Sequence, residues 1–271
     1  MNTFKLALIQ DTWELGGVEA NVAKAEARIR EARGNGADFI CLPEGFNTGY
    51  YCFKYDVMKA AAETIDGPTI TKLRGLAKEL GVHLLAPIMM TAGTGIVENT
   101  AVLIDDEGAL LGHYSKTHLV GNEQLYLNRG RKFPVFQTKY GKVGIVICYD
   151  ICFPETTRIL ALEGADLILC PAAWRDGSYF REWLNQVTEV RALDNNVFVA
   201  LVNFTGELPG SPFCGCSQVI NPIGQVLGRC SADKAEILYQ EIDMSLVHKE
   251  RMSNTVMIDR HPELYSLITE L

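Results

Sequence analysis

Short apolar runs alternate with amphipathic stretches along most of the chain. Runs rich in Ile, Leu and Val predict buried strands at Phe4–Ile9, Phe39–Leu42, Val82–Met89, Leu167–Cys170, Val197–Asn203 and Ile237–Ile242. The stretches between them carry apolar residues at helical spacing and predict helices at Val18–Arg33, Thr69–Leu80, Pro154–Glu163 and Phe180–Leu193. Strands that alternate with helices favour an α/β fold in which helices cover sheet.

Shorter apolar runs come in pairs around turn-forming residues. The pairs predict hairpins of Asn99–Ile104 with Ala109–Ser115, of Pro134–Gln137 with Lys142–Ile147, and of Ser217–Ile220 with Gln225–Gly228. Because a hairpin joins antiparallel strands, the sheet cannot be purely parallel.

One segment of the chain resembles another. Residues 36–43 read GADFICLP and residues 164–171 read GADLILCP. Both follow a predicted helix and lead into a buried strand that ends at proline, so we interpret them as related supersecondary units of one domain. No low-complexity linker separates them, and we therefore expect a single domain over residues 1–271.

Composition narrows the class of protein. A chain of 271 residues that is 48% hydrophobic suits one large α/β domain or two small ones. The net charge of -8 and the lack of Lys/Arg runs argue against nucleic acid as a partner. No apolar stretch approaches the ~18 residues of a membrane span, and the first residues lack the apolar core of a secretory signal. We therefore expect the eight cysteines to be reduced and the protein to be cytoplasmic.

The cysteines and histidines do not have the spacing of a metal site. Cys148 and Cys152 are four positions apart, and Cys214 and Cys216 two apart, which does not match the paired short spacings of structural zinc sites. The histidines do not form a helical pair either. We expect no metal.

Three polar residues lie at the ends of predicted strands. Glu44 and Lys116 each follow a strand, and Cys148 ends a third. Taken singly, each has an ordinary explanation as a salt-bridge carboxylate, a solvated lysine or a buried thiol. Cys148 also precedes the helix predicted to open at Pro154, and a helix N-terminus near the sulfur would lower its pKa.

Together these three residues form a chemically coherent set. A carboxylate with a raised pKa can take the proton of a thiol, and a lysine can stabilise an oxyanion together with the backbone N–H of Tyr149. Such a set suits attack on an amide or nitrile carbon and formation of an acyl thioester, which water then hydrolyses.

The surroundings of these residues resemble a known family. The chain reads PEGFNTGY around Glu44, YSKTHL around Lys116 and GIVICYDICFPETTRILALEGAD around Cys148. These segments resemble, in order, the three signatures of the nitrilase superfamily of carbon–nitrogen hydrolases. The resemblance implies a four-layer αββα sandwich, no metal or organic cofactor, and homodimers or larger homo-oligomers packed sandwich to sandwich. It also implies that Glu44 is the general base, Lys116 the oxyanion-stabilising cation and Cys148 the nucleophile.

Further residues follow from the same resemblance. Glu123 matches a second glutamate that orients the lysine and the substrate amide, although the chain has Arg129-Gly130 where the family often has Pro-Gly. Trp174 matches the pocket wall, and Tyr50 and Tyr51 are candidates for the pocket mouth. In the family that the chain resembles, the residue at the position of His118 has a structural role. This argues against a mechanism in which a histidine is the base for Cys148.

Substrate and reaction remain open at this level. No arginine follows Cys148 closely, and no extra acid stands at Ile151 or Cys152, which favours a small linear amide without charge near the scissile bond. Arg175 could bind a distal carboxylate, or could be an ordinary surface residue. By family analogy, an amidase is favoured over a nitrilase or an N-carbamoyl amidohydrolase. A redox protein that pairs Cys148 with Cys152, an inactive scaffold and an acyltransferase are the competing classes.

Overall fold

The computed structural model describes residues 3–50, 55–91, 93, 95–177, 179–208 and 211–270. Numbered along the chain, its strands are β1 (Thr3–Gln10), β2 (Phe39–Cys41), β3 (His83–Thr91), β4 (Val97–Ile104), β5 (Leu110–Ser115), β6 (Val135–Gln137), β7 (Lys142–Ile145), β8 (Leu167–Pro171), β9 (Phe198–Val202), β10 (Glu207–Leu208), β11 (Ser211–Pro212), β12 (Gln218–Ile220), β13 (Val226–Arg229) and β14 (Glu236–Asp243). Its helices are α1 (Val18–Gly34), α2 (Tyr55–Ala61), α3 (Pro68–Leu80), α4 (Glu123–Tyr126), α5 (Pro154–Leu162), α6 (Phe180–Asn195), α7 (Ser245–Ser253) and α8 (Ser266–Glu270).

The strands form two six-stranded mixed sheets. The first has the order β14-β1-β2-β3-β4-β5 and the second the order β13-β12-β9-β8-β7-β6. In each sheet three central strands are parallel and the outer strands are antiparallel, as the predicted hairpins require. The mixed α/β fold predicted from the sequence is therefore confirmed.

The two sheets have the same internal plan. The parallel strands β1-β2-β3 of the first sheet correspond to β7-β8-β9 of the second, and each set continues into two antiparallel strands. In this correspondence β2 matches β8, and these are the strands of the two similar segments at 36–43 and 164–171. The short sequence match therefore marks equivalent places in two similar halves.

Successive side chains of a strand point to opposite faces of its sheet, and this divides the core into layers. In β1, Leu6 and Leu8 lie in the cluster shared with the second sheet, whereas Ala7 and Ile9 face the cluster that contains α1 and α3. Helices α5 and α6 cover the other side of the second sheet, with Leu160 and Leu184 fully buried. The order is helix, sheet, sheet, helix, which is the predicted αββα sandwich.

Several elements are absent from the sequence prediction. Helix α2 lies in the segment predicted as a loop, helix α4 lies in the predicted irregular connection, and β10 and β11 form a small extra hairpin. Helices α7 and α8 lie in the tail that had no assignment. No helix in the described ranges is long and apolar enough to cross a membrane.

Candidate active site

Strand direction brings the predicted site residues to one edge of the sandwich. Strand β5 runs in the same direction as β2, because β2 is parallel to β3 and two antiparallel pairings, β3 with β4 and β4 with β5, lie between β3 and β5. Glu44 and Lys116, which follow these strands, therefore lie at the same edge of the first sheet. Cys148 follows β7 in the second sheet, and the neighbouring parallel strand β8 ends just before Ala173.

A buried ion cluster forms the centre of the site. Lys116 Nζ lies 2.8 Å from Glu44 Oε1 and 2.8 Å from Glu123 Oε2, and all three side chains are inaccessible to solvent or nearly so. A buried lysine requires such partners, because an unpaired charge in the interior is strongly unfavourable. One cation is therefore shared by two carboxylates.

Asn99 on β4 makes a second bridge between the same carboxylates. Its Nδ2 donates to Glu44 Oε1 at 2.7 Å and to Glu123 Oε1 at 3.3 Å. Its backbone carbonyl accepts from the backbone N–H of Lys116 at 2.9 Å. A neutral side chain thus fixes both acids without adding charge to the cluster.

Glu123 is held by further donors. The Tyr50 hydroxyl donates to Glu123 Oε1 at 3.0 Å, and the Val120 backbone N–H donates to Oε2 at 2.9 Å. The ammonium of Lys116 also lies 5.9 Å from the centre of the Tyr50 ring. The structure therefore brings Glu123 and Tyr50 together with Lys116.

The loop after Lys116 is fixed by a close backbone approach. The Gly130 N–H donates to the Lys116 carbonyl at 2.8 Å. A Cβ at Gly130 would lie 2.0 Å from the carbonyl oxygen of Ser115, so only glycine fits there. The Arg129-Gly130 pair keeps the glycine at this point, and Glu123 reaches Lys116 although the preceding residue is not proline.

The second sheet contributes to the position of Glu44. The Ala173 backbone N–H donates to Glu44 Oε2 at 2.9 Å. The next residue, Trp174, is fixed by Asn203, whose Oδ1 accepts its backbone N–H at 2.7 Å and whose Nδ2 donates to its carbonyl at 3.3 Å. The segment after β8 therefore orients the acid and forms part of the wall of the site.

Cys148 has an unusual backbone conformation. Its φ of 48° lies in the left-handed region, which is uncommon for a residue with a side chain, and it opens a short 3₁₀ turn over Cys148–Cys152. The buried Asp150 stabilises this turn by accepting the Ile147 backbone N–H at 3.0 Å. Strained backbone of this kind recurs at functional sites, where surrounding contacts hold it in place.

Asp150 also connects the turn to the loop that follows Lys116. It accepts from the Tyr114 hydroxyl at 2.7 Å, the Thr117 hydroxyl at 2.9 Å and the His118 backbone N–H at 2.8 Å. His118 Nδ1 lies 2.8 Å from Asp150 Oδ1, and its ring stacks on Phe153 at 3.8 Å between centroids. The His118 ring is thus engaged with Asp150 and Phe153.

Burial controls the ionisation of the cluster. Burial raises the pKa of Glu44 and outweighs the opposing attraction of Lys116. Burial also raises the pKa of the Cys148 thiol well above its ordinary value, with Glu44 acting in the same direction. For Lys116, burial disfavours the charge, but Glu123 and Glu44 raise its pKa well above the ordinary value. The resting site therefore holds an ammonium beside a protonated thiol.

The sequence-based expectation of a lowered thiol pKa is wrong. Helix α5 begins only at Pro154, so Cys148 does not stand at an α-helix N-terminus. Burial near a carboxylate dominates instead. The carboxyl of Glu44 is near enough to influence the pKa of the Cys148 thiol, so a proton acceptor lies close to the sulfur.

A cavity of about 220 Å³ opens beside Cys148. The three residues predicted to contact the substrate line it, namely Tyr50, Tyr149 and Trp174, together with Val120, Ala173, Arg175, Phe180 and Trp183. Trp174 packs edge-on against Trp183 at 5.5 Å between centroids. Tyr51 lies outside the described residues. The wall is largely aromatic, which suits a small substrate with apolar carbons.

Other cysteines do not form a second reactive centre within the part of the chain that the structure describes. The described cysteines are unbonded, and burial raises the pKa of Cys152 to about 12. A resolving cysteine is expected to be an accessible thiolate. The described residues also contain no group of three or more His, Cys, Asp or Glu placed to hold a metal ion.

Comparison with known proteins identifies the family. Residues 5–251 match the family described as "Carbon-nitrogen hydrolase". The chain belongs to this family.

Curated family members are similar over nearly the whole chain. A "Nitrilase" of Pyrococcus abyssi is 34% identical over 96% of this chain and 98% of its own length. "Omega-amidase NIT2" of Homo sapiens is 33% identical over 98% of each chain.

Solved structures of carbon–nitrogen hydrolases share the fold. An amidase from Nesterenkonia sp. AN1 superposes with a TM-score of 0.83 at 26% identity, covering 97% of this chain and 98% of its own. In one structure of a mutant of that amidase, the acetamide moiety of fluoroacetamide is covalently added to the active-site cysteine. The sandwich is therefore the nitrilase fold.

Proposed function

We propose that the protein is an amidase that cleaves the C–N bond of a small linear amide through a Cys148 thioester and releases ammonia. The observation that carries the proposal is the buried pairing of Glu44 with Lys116, in which Glu44 also binds the backbone N–H of Ala173, and Ala173 and Cys148 line one cavity. The family assignment and the amidase among the similar structures support it. We assign the whole of residues 1–271 to this one hydrolase domain.

The first half of the reaction uses Glu44 as general base. Glu44 removes the thiol proton while sulfur forms a bond to the amide carbon, and the carbonyl electron pair moves onto oxygen. The Lys116 ammonium and the backbone N–H of Tyr149 stabilise this oxyanion. When the intermediate collapses, the C–N bond breaks, Glu44 returns the proton to nitrogen, and ammonia leaves.

The second half restores the enzyme. Glu44, now a carboxylate again, takes a proton from water as the water oxygen attacks the thioester carbon. The C–S bond then breaks, Glu44 returns the proton to sulfur, and the carboxylic acid is released. Glu123 keeps Lys116 charged and oriented throughout, a role that its buried position beside Nζ supports.

The alternative functions differ from an amidase either in the group that Cys148 attacks or in the molecule that takes the acyl group from the thioester. A nitrile or an N-carbamoyl group would meet the same nucleophile, and an acyltransferase would pass the thioester to an amine. The small, largely aromatic cavity gives the greatest support to a compact acyl group on an amide. A redox role for Cys148 with Cys152 receives little support, because burial raises the pKa of both thiols.

We further propose that the protein is a cytoplasmic homodimer or a larger assembly of such dimers. The outer faces of α5 and α6 expose the apolar side chains of Ile159 (40%), Leu162 (49%), Val190 (43%) and Leu193 (47%). Large exposed apolar patches commonly mark contacts between proteins. The unbonded state of the described cysteines fits a reducing compartment.

Ammonia release from a panel of amides, nitriles and carbamoyl compounds tests the activity. We expect release from short amides, loss of release in Cys148→Ala, and a mass increase on Cys148 equal to the acyl group in intact-mass measurements during turnover. Ammonia release that persists in Cys148→Ala would disprove the mechanism.

A further inference from the structure

The backbone pairing of β8 with β9 ends just before the wall of the cavity beside Cys148. The two strands pair as far as Pro171 and Val202, and the Ala172 N–H still donates to the Val202 carbonyl at 2.8 Å. Trp174, two residues further along, lines the cavity. Its peptide groups need another partner, because buried N–H and C=O groups are almost always hydrogen-bonded.

The side-chain amide of Asn203 takes the place of that backbone partner. Its Oδ1 accepts the Trp174 N–H at 2.7 Å, and its Nδ2 donates to the Trp174 carbonyl at 3.3 Å. A carboxamide has the same donor and acceptor types as a peptide group, so Asn203 pairs with Trp174 much as a neighbouring strand would. The Asn203 side chain is fully buried, and water does not compete for these bonds.

The same amide also holds the segment that packs on the other side of Trp174. The Cys214 N–H donates to the Trp174 carbonyl at 3.1 Å, and Asn203 Nδ2 donates to the Gly215 carbonyl at 2.8 Å. Asn203 therefore connects the cavity wall with the chain that supports it.

Asn203 is held in turn from the first sheet. Its backbone N–H donates to Ser217 Oγ at 2.9 Å, and Ser217 Oγ donates to Gln10 Oε1 at 2.9 Å. Gln10 is the last residue of β1, and its Nε2 donates to the carbonyls of Ser231 and Lys234 at 2.8 and 2.9 Å. The side chains of Gln10, Ser217 and Asn203 are all fully buried. A buried network whose members are satisfied is rigid, and this one runs from the first sheet to the cavity wall.

The ring of Trp174 depends on this backbone for its position. It packs edge-on against Trp183 at 5.5 Å between centroids, and both rings line the cavity with Cys148. Asn203 is not among the described residues that line the cavity. We propose that Asn203 is a positioning residue, which sets the place of the Trp174 indole against the acyl chain of the substrate. This inference rests on the proposed amidase function, which supplies the acyl chain.

A misplaced wall has a kinetic signature of its own. Trp174 contacts the acyl chain both before and after sulfur attacks, so its displacement removes binding that the ground state and the transition state share. Such a loss raises KM and leaves kcat nearly unchanged. A defect at Glu44 would instead lower kcat, because the base acts on the reacting atoms.

Asn203→Leu tests the proposal, because it nearly keeps the volume of the side chain and removes both hydrogen-bonding groups. Asn195→Leu is the matched control. Asn195 is also buried, and its Nδ2 donates to Thr157 Oγ1 and to the Arg191 carbonyl, outside the described lining of the cavity. KM and kcat are measured by ammonia release from propanamide, and thermal unfolding is measured for each variant.

A spectroscopic measurement reports the wall without turnover. The chain has three tryptophans, and Trp174 and Trp183 form the edge-on pair, whereas Trp13 packs against Phe46. Two indoles in close contact give an exciton couplet in circular dichroism, and its amplitude depends on their separation and angle. Trp174→Phe assigns the couplet to this pair.

We expect Asn203→Leu to lose most of the couplet and to raise KM by about 10- to 100-fold, with kcat within about threefold of the wild type. Asn195→Leu should be destabilised but should keep both the couplet and KM. Ser217→Ala, which removes the acceptor of the Asn203 N–H, should raise KM by about two- to tenfold and weaken the couplet. It serves as the test variant if Asn203→Leu does not fold. An unchanged couplet in the variant that folds, or a fall in kcat with KM unchanged, would overturn the inference.

The two measurements separate this inference from the proposed function. A couplet lost in Asn203→Leu, with no ammonia release by the wild type from any amide, would disprove the amidase function alone. Amide hydrolysis by the wild type, with a couplet and KM that do not respond to Asn203→Leu, would disprove the positioning role alone.

Discussion

The Ala173 backbone N–H donates to Glu44 Oε2 at 2.9 Å and joins the two sheets at the candidate active site. Glu44 follows β2, and Ala173 follows the equivalent strand β8 of the second sheet. The proposed base is thus fixed by one half of the sandwich while it belongs to the other. The site is complete only when both halves are folded together.

This arrangement leads to a prediction about the identity of the base. Glu44→Gln keeps the shape of the side chain but cannot accept the thiol proton, so kcat/KM should fall by about 10²- to 10⁴-fold. His118→Asn should lower it much less, because His118 Nδ1 contacts Asp150. Ammonia release and thermal unfolding are measured for both variants, with the exposed Glu107→Gln as control. A loss in His118→Asn as large as in Glu44→Gln would contradict the assignment.

Asn99 should set the acidic limb of the pH profile. Its Nδ2 donates to Glu44 Oε1 at 2.7 Å and so favours the ionised acid, whose pKa burial already raises. Activity requires the ionised form and rises as the pH rises through this pKa. Without the donor, the pKa of Glu44 should rise further, because a hydrogen bond to the ionised carboxylate favours that form.

The measurement is kcat/KM against pH for the wild type, Asn99→Ala and the control Asn128→Ala, whose side chain is exposed. The acidic limb of Asn99→Ala should move to higher pH, and that of Asn128→Ala should not move. A uniform drop in rate with an unchanged limb would mean that Asn99 only supports the structure.

The apolar faces of α5 and α6 give a prediction about assembly. Leu193→Asp places a charge in the proposed dimer contact and should shift the protein to monomers, because an unpaired charge in an interface is unfavourable. Val57→Asp on α2 changes a side chain of similar exposure (39%) on another helix and should have no effect. Light scattering after size-exclusion chromatography reports the mass. A wild type that is monomeric at micromolar concentration would rule out the dimer.

Much of the site could be predicted because its residues lie at strand ends. Glu44, Lys116 and Cys148 are separated in sequence, but the apolar runs before them reveal the strands that bring Glu44 and Lys116 together. Asn99 is a polar residue within an apolar strand, which is a signal of a buried polar contact. The pattern does not say which groups it meets, since Glu44 lies 55 positions away.

Other features depend on packing that a local pattern does not encode. Helix α2 buries only Met58, so no apolar stripe marks it, and α4 is a single turn. Trp183 reaches the cavity through the placement of α6. The pKa of the Cys148 thiol differs from the sequence-based expectation for a similar reason, because burial and the nearby Glu44 raise it, and these are not encoded by the residues that follow in sequence.

Asp150 should make stability depend on pH. Burial favours its neutral form, but hydrogen bonds from His118, Tyr114 and the Ile147 N–H outweigh this and lower its pKa below the ordinary 3.8. A carboxyl whose pKa is lower in the folded state than in the unfolded state stabilises the fold above its unfolded pKa, and this contribution is lost as the pH falls through the folded pKa. Asp150→Asn should therefore lower the free energy of unfolding at pH 7 by about 3 kcal/mol, since donors lose their acceptor.

Urea unfolding of the wild type and Asp150→Asn at several pH values checks this prediction. The difference between the two proteins should be largest at neutral pH and should narrow below about pH 4, where the aspartate of the unfolded wild-type chain begins to take up a proton. The exposed Asp233→Asn is the control and should track the wild type. A difference that stays constant down to pH 3 would show that the charge of Asp150 does not contribute, and that its effect comes from shape and packing alone.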